Sequence, residues 1–138
     1  MLNPAKVPNV RGALGETINA MTGHAALRTS VRMSGPIDDV PPYLAGHAQA
    51  VVREATANAV RHSHAGELTI IISAGDALVI EVSDDGVGIP DVLTRSSGIR
   101  NLESRAAQAR GTFTIDGSGG GTRLVWTAPL PSHPGLAA

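Results

Sequence analysis

The stretch that most constrains the fold is residues 67 to 83. ELTIIIS (67 to 73) and ALVIEVS (77 to 83) read as two strands, and the AGD between them is short enough for a hairpin. The second strand runs into DDGVGIP (84 to 90), two adjacent carboxylates followed by two glycines. Asp-Gly after an apolar run is an ordinary turn signal. Here, however, the connection DDGVGIPDVLTRSSG (84 to 98) is far longer than a tight turn, and irregular connections of that length in compact domains usually serve a function.

Around this hairpin the pattern alternates between helix and strand. Val10, Leu14, Ile18 and Met21 recur at helical spacing, with Gly23 placed to end the helix. Leu27, Thr29, Val31 and Met33 alternate with Arg28, Ser30 and Arg32 as in a half-buried strand. PIDDVPPYLAG reads as a loop, and the strongest helix in the chain runs from about Tyr43 to His62. After the long connection, residues 97 to 110 are helical, with Ile99, Leu102, Ala106 and Ala109 on one side and Gly111 as terminator. TFTIDG and TRLVWTA form a last hairpin around SGGG. About five strands and three helices, segregated from one another, predict an α/β (α+β) two-layer sandwich of a mixed sheet with the helices on one face. Residues 1–9 read as a loose lead-in, 10–130 as one domain and 131–138 as a frayed tail.

Composition narrows the chemistry. The 138 residues suit a single domain. Aromatic residues are only 2% (Tyr43, Phe113, Trp126), so the core must be aliphatic. A net charge of −1 gives no sign of a nucleic-acid surface. Lys6 is the sole lysine, which argues against a P-loop. The absence of cysteine excludes disulfides and thiolate metal sites and fits a cytoplasmic setting. No apolar run is long enough to span a membrane, and MLNPAKVPNV lacks the apolar segment of a signal peptide.

In the helix VVREATANAVRH (51 to 62), Glu54 and Asn58 are four apart and share one face, continued by Arg61 and His62. Such a line is either a solvated face with Arg53 or Arg61 as partner, or a polar line beneath an anion and a divalent cation. Asn58 offers the hard amide oxygen that Mg²⁺ accepts beside water and phosphate. Glu54 could act as a base or hold a water, and Arg61 and His62 could face phosphates. In DDGVGI, a carboxylate at a strand end can accept a hydrogen bond from an exocyclic amine, and the glycines admit a ring. SSGIRNL opens a helix whose first-turn N–H groups can seat a phosphate, and Thr122 starts the closing strand.

These elements together resemble the ATP-binding domain of sensor histidine kinases, within the GHKL (Bergerat-fold) ATPases. Glu54-x-x-x-Asn58-Ala-x-Arg61-His62 is similar to that family's N-box, and Asp84-x-Gly86-x-Gly88 to its first glycine box. Ser97-Gly98-Ile99-x-x-Leu102-x-x-Arg105 resembles its abbreviated second glycine box, and Gly121-Thr122 its final Gly-Thr element. The runs AVVREATANAVRH and WTAPL resemble most closely the DosS/DosT group of actinobacterial haem-based sensor kinases.

The resemblance implies ATP and Mg²⁺ as cofactors and transfer of the γ-phosphoryl group to a histidine on a separate dimerisation domain, with a response regulator downstream. It implies no nucleic-acid or membrane contact by this domain. Carried over by position, Asp84 reads the adenine amine, Gly86, Gly88 and Ile89 shape the base pocket, and Thr122 supports it. Asn58 holds Mg²⁺, Glu54 is the catalytic carboxylate, which holds the metal through water in one version, and Arg61 and His62 face phosphate. Gly98 and Ile99 belong to the lid. Ser97 stands where many relatives have glycine, and the lid is short. His24, His47, His64 and His133 lack the acidic-flanked helical setting of a phosphoacceptor and read as surface or terminal histidines. Two other readings are an anti-sigma-factor type Ser/Thr kinase of the same fold and a non-catalytic nucleotide-binding module.

Overall fold

The computed structural model describes residues 9–23, 25, 27–62, 66–86, 97–117 and 120–131. Its order is α1 (Val10–Thr22), β1 (Arg28–Ser34), a 3₁₀ turn (Ile37–Asp39), α2 (Pro42–His62), β2 (Glu67–Ala74), β3 (Ala77–Asp84), α3 (Ser97–Gln108), β4 (Thr112–Asp116) and β5 (Thr122–Pro129). One five-stranded sheet forms in the order β1-β2-β3-β5-β4. β1 runs parallel to β2, while the β2/β3, β3/β5 and β4/β5 pairs are antiparallel. The sheet is therefore mixed, as expected. A parallel neighbour requires a crossover, which α2 supplies between β1 and β2.

Strand alternation sets the layers. Leu68, Ile70 and Ile72 of β2, Leu78, Ile80 and Val82 of β3, and Leu124, Trp126 and Ala128 of β5 are all buried. They join Leu14 and Ile18 of α1, Leu44, Ala48, Val51, Val52 and Ala55 of α2, and Ile99, Leu102 and Ala106 of α3 in one core. Fully burying each large aliphatic side chain contributes about 1.5–3 kcal/mol, which is how a chain almost without aromatics can hold a sandwich. Trp126, fully buried, is the largest of these side chains, and its Nε1 donates to the Leu102 carbonyl at 3.2 Å. Strand β5 is thereby tied to α3.

Local signals place the helices. Asn9 caps α1, its side chain accepting from the Gly12 N–H at 2.6 Å. Arg11 then fastens the start of α1: its N–H donates to Asp38, and its guanidinium donates to the Met33 and Gly35 carbonyls. The proline-rich segment expected to be plain loop contributes buried Ile37 and Val40, and Pro42 opens α2, where its missing N–H costs nothing. At the end of α3, Gly111 N–H bonds the Ala106 carbonyl and Arg110 N–H the Ala107 carbonyl. That is the Schellman pattern. The left-handed residue is Arg110, with φ of 61°, rather than the expected Gly111. Val31 also departs from expectation: on the edge strand β1 it is 42% exposed, because a sheet edge has a neighbour on one side only.

Candidate functional site

The expected site residues fall into two groups. The first lies where β3 and β5 meet. Asp84, the last residue of β3, is directly opposite Thr122, the first of β5. Asp84 is half-buried, and its Oδ1 accepts from the Gly86 N–H at 2.9 Å. Desolvation by burial pushes its carboxyl above the ordinary carboxylate range, opposed by backbone N–H donors from Gly86 and Thr122, with the neighbouring Asp85 charge adding a smaller upward push. Thr122 is buried, and its Oγ1 has no hydrogen-bond partner among the described residues. Gly121 fits here only without a side chain, since a Cβ would stand 2.2 Å from the Asp84 carbonyl oxygen.

The two carboxylates of the DD pair have separate tasks. Asp85 is exposed, and its Oδ1 accepts from the N–H groups of Gly66 and Glu67, both at 2.9 Å. It pins the start of β2 to the end of β3. The Glu67 N–H is the main cause holding its carboxyl below the ordinary range, with further help from Gly66 and the Arg28 charge. Asp84, half-buried at the β3–β5 junction, is the carboxylate placed beside Thr122.

The second group lies on α2, with Glu54 at its seam with α3. Glu54 and Asn58, one turn apart on α2, are both half-buried. Glu54 is 29% exposed and stands 3.8 Å from the more exposed Arg61, so the ordinary surface partner considered for this line does exist. The other side of the Glu54 carboxylate rests on the first turn of α3. A Cβ on Gly98 would lie 2.3 Å from Glu54 Oε2 and 2.6 Å from Cδ. A side chain at 98 would push the Glu54 carboxylate from the place it occupies. The next residue, Ile99, is buried and anchors this turn to the core. A crevice of about 370 Å³ continues along the α2–α3 seam from Glu54 towards Arg105.

The structure therefore brings Asp84, Gly86, Gly121 and Thr122 together, and Glu54 and Arg61 with Gly98. Helix α2, which carries Glu54 and Asn58, packs on β3 and β5, which carry the first group. His62 is the last residue of α2, and its side chain lies outside the described residues, as do Gly88 and Ile89. One expectation is corrected: His47 is not a surface histidine. It is half-buried on α2, its Nδ1 is 3.1 Å from Arg105 Nη1, and its ring lies 6.2 Å from that of Trp126. The signal that could have found it is its spacing, two helical turns before Glu54 on the same face.

Comparison with known proteins identifies the family. Residues 44–132 match the family of histidine kinase-, DNA gyrase B- and HSP90-like ATPases. α1 and β1 lie outside the matched range yet are part of the same sandwich. The chain is 29% identical over 124 residues to the sensor protein VraS of Staphylococcus aureus, covering 86% of this chain and 36% of that protein. It is 30% identical over 126 residues to a NarQ homologue of Haemophilus influenzae, covering 88% of this chain and 22% of the relative. It thus spans about a third or less of the curated relatives it matches. Among solved structures, the ATP-binding domain of PrrB from Mycobacterium tuberculosis superposes with a TM-score of 0.67 at 26% identity, over 90% of this chain and 96% of that one. The histidine kinase domain of the Erythrobacter litoralis blue-light kinase EL346 gives 0.71 at 23% identity, over 91% and 63%. The chain belongs to the histidine kinase-, DNA gyrase B- and HSP90-like ATPases, as an ATP-binding domain of the sensor histidine kinase type.

Proposed function

We propose that this domain binds Mg-ATP and donates the γ-phosphoryl group to a histidine on the dimerisation domain of a two-component sensor kinase, which then serves a response regulator in the cytoplasm. The observation that carries the nucleotide reading is the pair at the β3–β5 junction. An unpartnered buried hydroxyl costs about 1–3 kcal/mol, and Thr122 holds one, with no partner among the described residues, beside the half-buried carboxylate of Asp84. A ligand with an exocyclic amine relieves both: Asp84 accepts from the amine, and Thr122 donates to a ring nitrogen.

The phosphate end follows from the α2–α3 seam. Asn58 is the residue that would hold Mg²⁺, and its amide oxygen, alone beside one carboxylate, fits an ion that takes most of its ligands from phosphate and water. The ion's contribution is charge neutralisation on the phosphates. Glu54, fixed between Arg61 and Gly98, orients or deprotonates the attacking group, and Arg61 is near enough to supply positive charge. Transfer of this kind needs mainly positioned groups and little covalent chemistry from the protein. Within the family, the runs AVVREATANAVRH and WTAPL favour the haem-based DosS/DosT group.

Calorimetric titration of wild type, Asp84→Asn and Asn58→Ala with ATP and ADP tests the two ends separately. Asp84→Asn weakens both nucleotides with or without metal. Asn58→Ala costs at least about 1 kcal/mol, close to the loss of a hydrogen bond to a charged group, and only when Mg²⁺ is present. Unchanged Mg-ATP affinity in Asn58→Ala would leave a nucleotide-binding module without the metal site. Acid-labile phosphate on an added histidine-containing dimerisation domain separates this reading from a Ser/Thr kinase.

A further inference from the structure

Two side-chain contacts stand out along the seam between α2 and α3. Glu54 of α2 rests on Gly98 of α3, and His47 of α2 meets Arg105 of α3. Each pair of positions is seven residues apart on its own helix, two turns and about 10 Å along the axis. Because 47 faces 105 and 54 faces 98, the two helices run antiparallel along the contact. The near point carries the carboxylate assigned to phosphoryl transfer, and the far point carries an imidazole.

The chemistry of the far point fixes its protonation state. A guanidinium has donors only and stays charged. Arg105 Nη1 therefore donates to His47 Nδ1, which must carry a lone pair, and the ring is neutral with its proton on Nε2. Protonation of Nδ1 would abolish the bond and set two cations about 3 Å apart. The same ring is tilted by 36° beside that of Trp126, 6.2 Å between centroids, and the Trp126 Nε1–H is bonded to the Leu102 carbonyl of α3. His47, Arg105 and Trp126 thus clamp α2, α3 and β5 to one another.

We propose that His47 is a positioning residue for the Glu54–Gly98 site: as a neutral imidazole it holds Arg105, and with it α3, against α2, and its protonation releases that end of the seam. The charged group facing the ring from α3 is Arg105, and β5 presents the uncharged indole of Trp126. Its neighbours one turn away on α2 (Tyr43, Leu44, Ala50 and Val51) bring no charge near neutral pH. Helix α1 packs on the Ala45 and Gln49 side of α2. Burial, and then the Arg105 charge, lower the affinity of His47 for a proton below its ordinary value of 6.5. A group that binds protons less readily folded than unfolded costs stability as pH falls below its unfolded value. The clamp is therefore complete above pH 6.5 and weakens below it. By linkage, each pH unit of displacement corresponds to a tenfold change in the contact's equilibrium constant.

The role in catalysis rests on the function proposed above, whereas the clamp itself can be read without catalysis. Trp126 is the chain's one tryptophan, so a single indole N–H resonance reports the contact. In the 138-residue chain, NMR titration from pH 8 to 5 is expected to show His47 titrating below 6.5, with the Trp126 indole and the Leu102 to Ala109 amides moving at the same midpoint. Arg105→Gln raises that midpoint towards the ordinary value. His47→Asn, which keeps an acceptor near Nδ1 but does not titrate, flattens the response of Trp126 and α3. An ordinary His47 midpoint, or the same pH response in His47→Asn as in wild type, overturns the clamp. The catalytic arm measures phosphate transfer to an added dimerisation domain: wild type should lose activity several-fold between pH 7.5 and 5.5 relative to His47→Asn. Equal pH profiles with the clamp intact overturn the positioning role, and absence of transfer at every pH refutes the kinase reading instead.

Discussion

Replacing Gly98 with alanine separates stability from function in one residue. The added Cβ would stand 2.3 Å from Glu54 Oε2, 2.6 Å from Cδ and 3.2 Å from Oε1. An ordinary contact is about 3.5 Å, so the carboxylate must retreat by about 1 Å. It can do so, because it is the end of a flexible side chain and not backbone. The fold therefore loses little. Alanine is favoured over glycine inside a helix by up to about 1 kcal/mol, and at 98, in the first turn of α3, the gain is smaller. Thermal and urea unfolding are expected to give a stability equal to wild type or up to about 1 kcal/mol higher. A displacement of about 1 Å in a catalytic group can cost up to about 100-fold in rate, so phosphate transfer to a dimerisation domain should fall about 10- to 100-fold. Glu54→Asp in the same chain shortens the carboxylate and gives it room, so the double variant should lose less than the product of the two single losses. Unchanged transfer in Gly98→Ala, multiplicative losses in the double variant, or a stability loss above about 1 kcal/mol would each refute the reasoning.

Three other perturbations bear on the same geometry. Asp84 binds a proton more readily folded than unfolded, so its contribution falls as pH rises through the carboxylate range. Asp84→Asn should then be more stable than wild type at pH 7 but not at pH 3, by paired urea melts, while binding nucleotide less well. Asp85 behaves oppositely. Its depressed carboxyl stabilises above the ordinary value of 3.8 and loses that contribution in acid, so Asp85→Ala should lower the melting temperature at pH 7, leaving ATP affinity by calorimetry unchanged. Thr56 is fully buried on α2, with no partner for its Oγ1 among the described residues. Thr56→Val, of the same shape, should be neutral or up to about 1 kcal/mol more stable in urea. A loss of that size would mean that the hydroxyl has a partner.

Much of the fold was legible because its signals are local. The bounds of α1 and the strands of the β2–β3 hairpin follow from periodicity, and Asp84, at a strand end before two glycines, stands out from the sequence as a candidate site carboxylate. What escaped the sequence depends on partners far away in the chain. The spacing of His47 from Glu54 puts both on one helical face but does not by itself separate His47 from a surface histidine; its contacts with Arg105, 58 residues later, and Trp126 do. Arg110 takes the left-handed position usually given to glycine. Gly111 is spent elsewhere, since a Cβ there would lie 1.7 Å from the Thr127 carbonyl oxygen.

The sequence by itself determined the elements, the mixed two-layer sandwich and the residue types of a nucleotide site, because helix and strand periods, caps and glycine positions act over a few residues. Tertiary structure alone decided which groups meet. It set Asp84 across from Thr122 through strand register, gave Asp85 a backbone to cap, and laid Glu54 on the bare backbone of Gly98. These are contacts between residues 18 to 44 positions apart, and their geometry follows from how the layers pack, which no local pattern encodes.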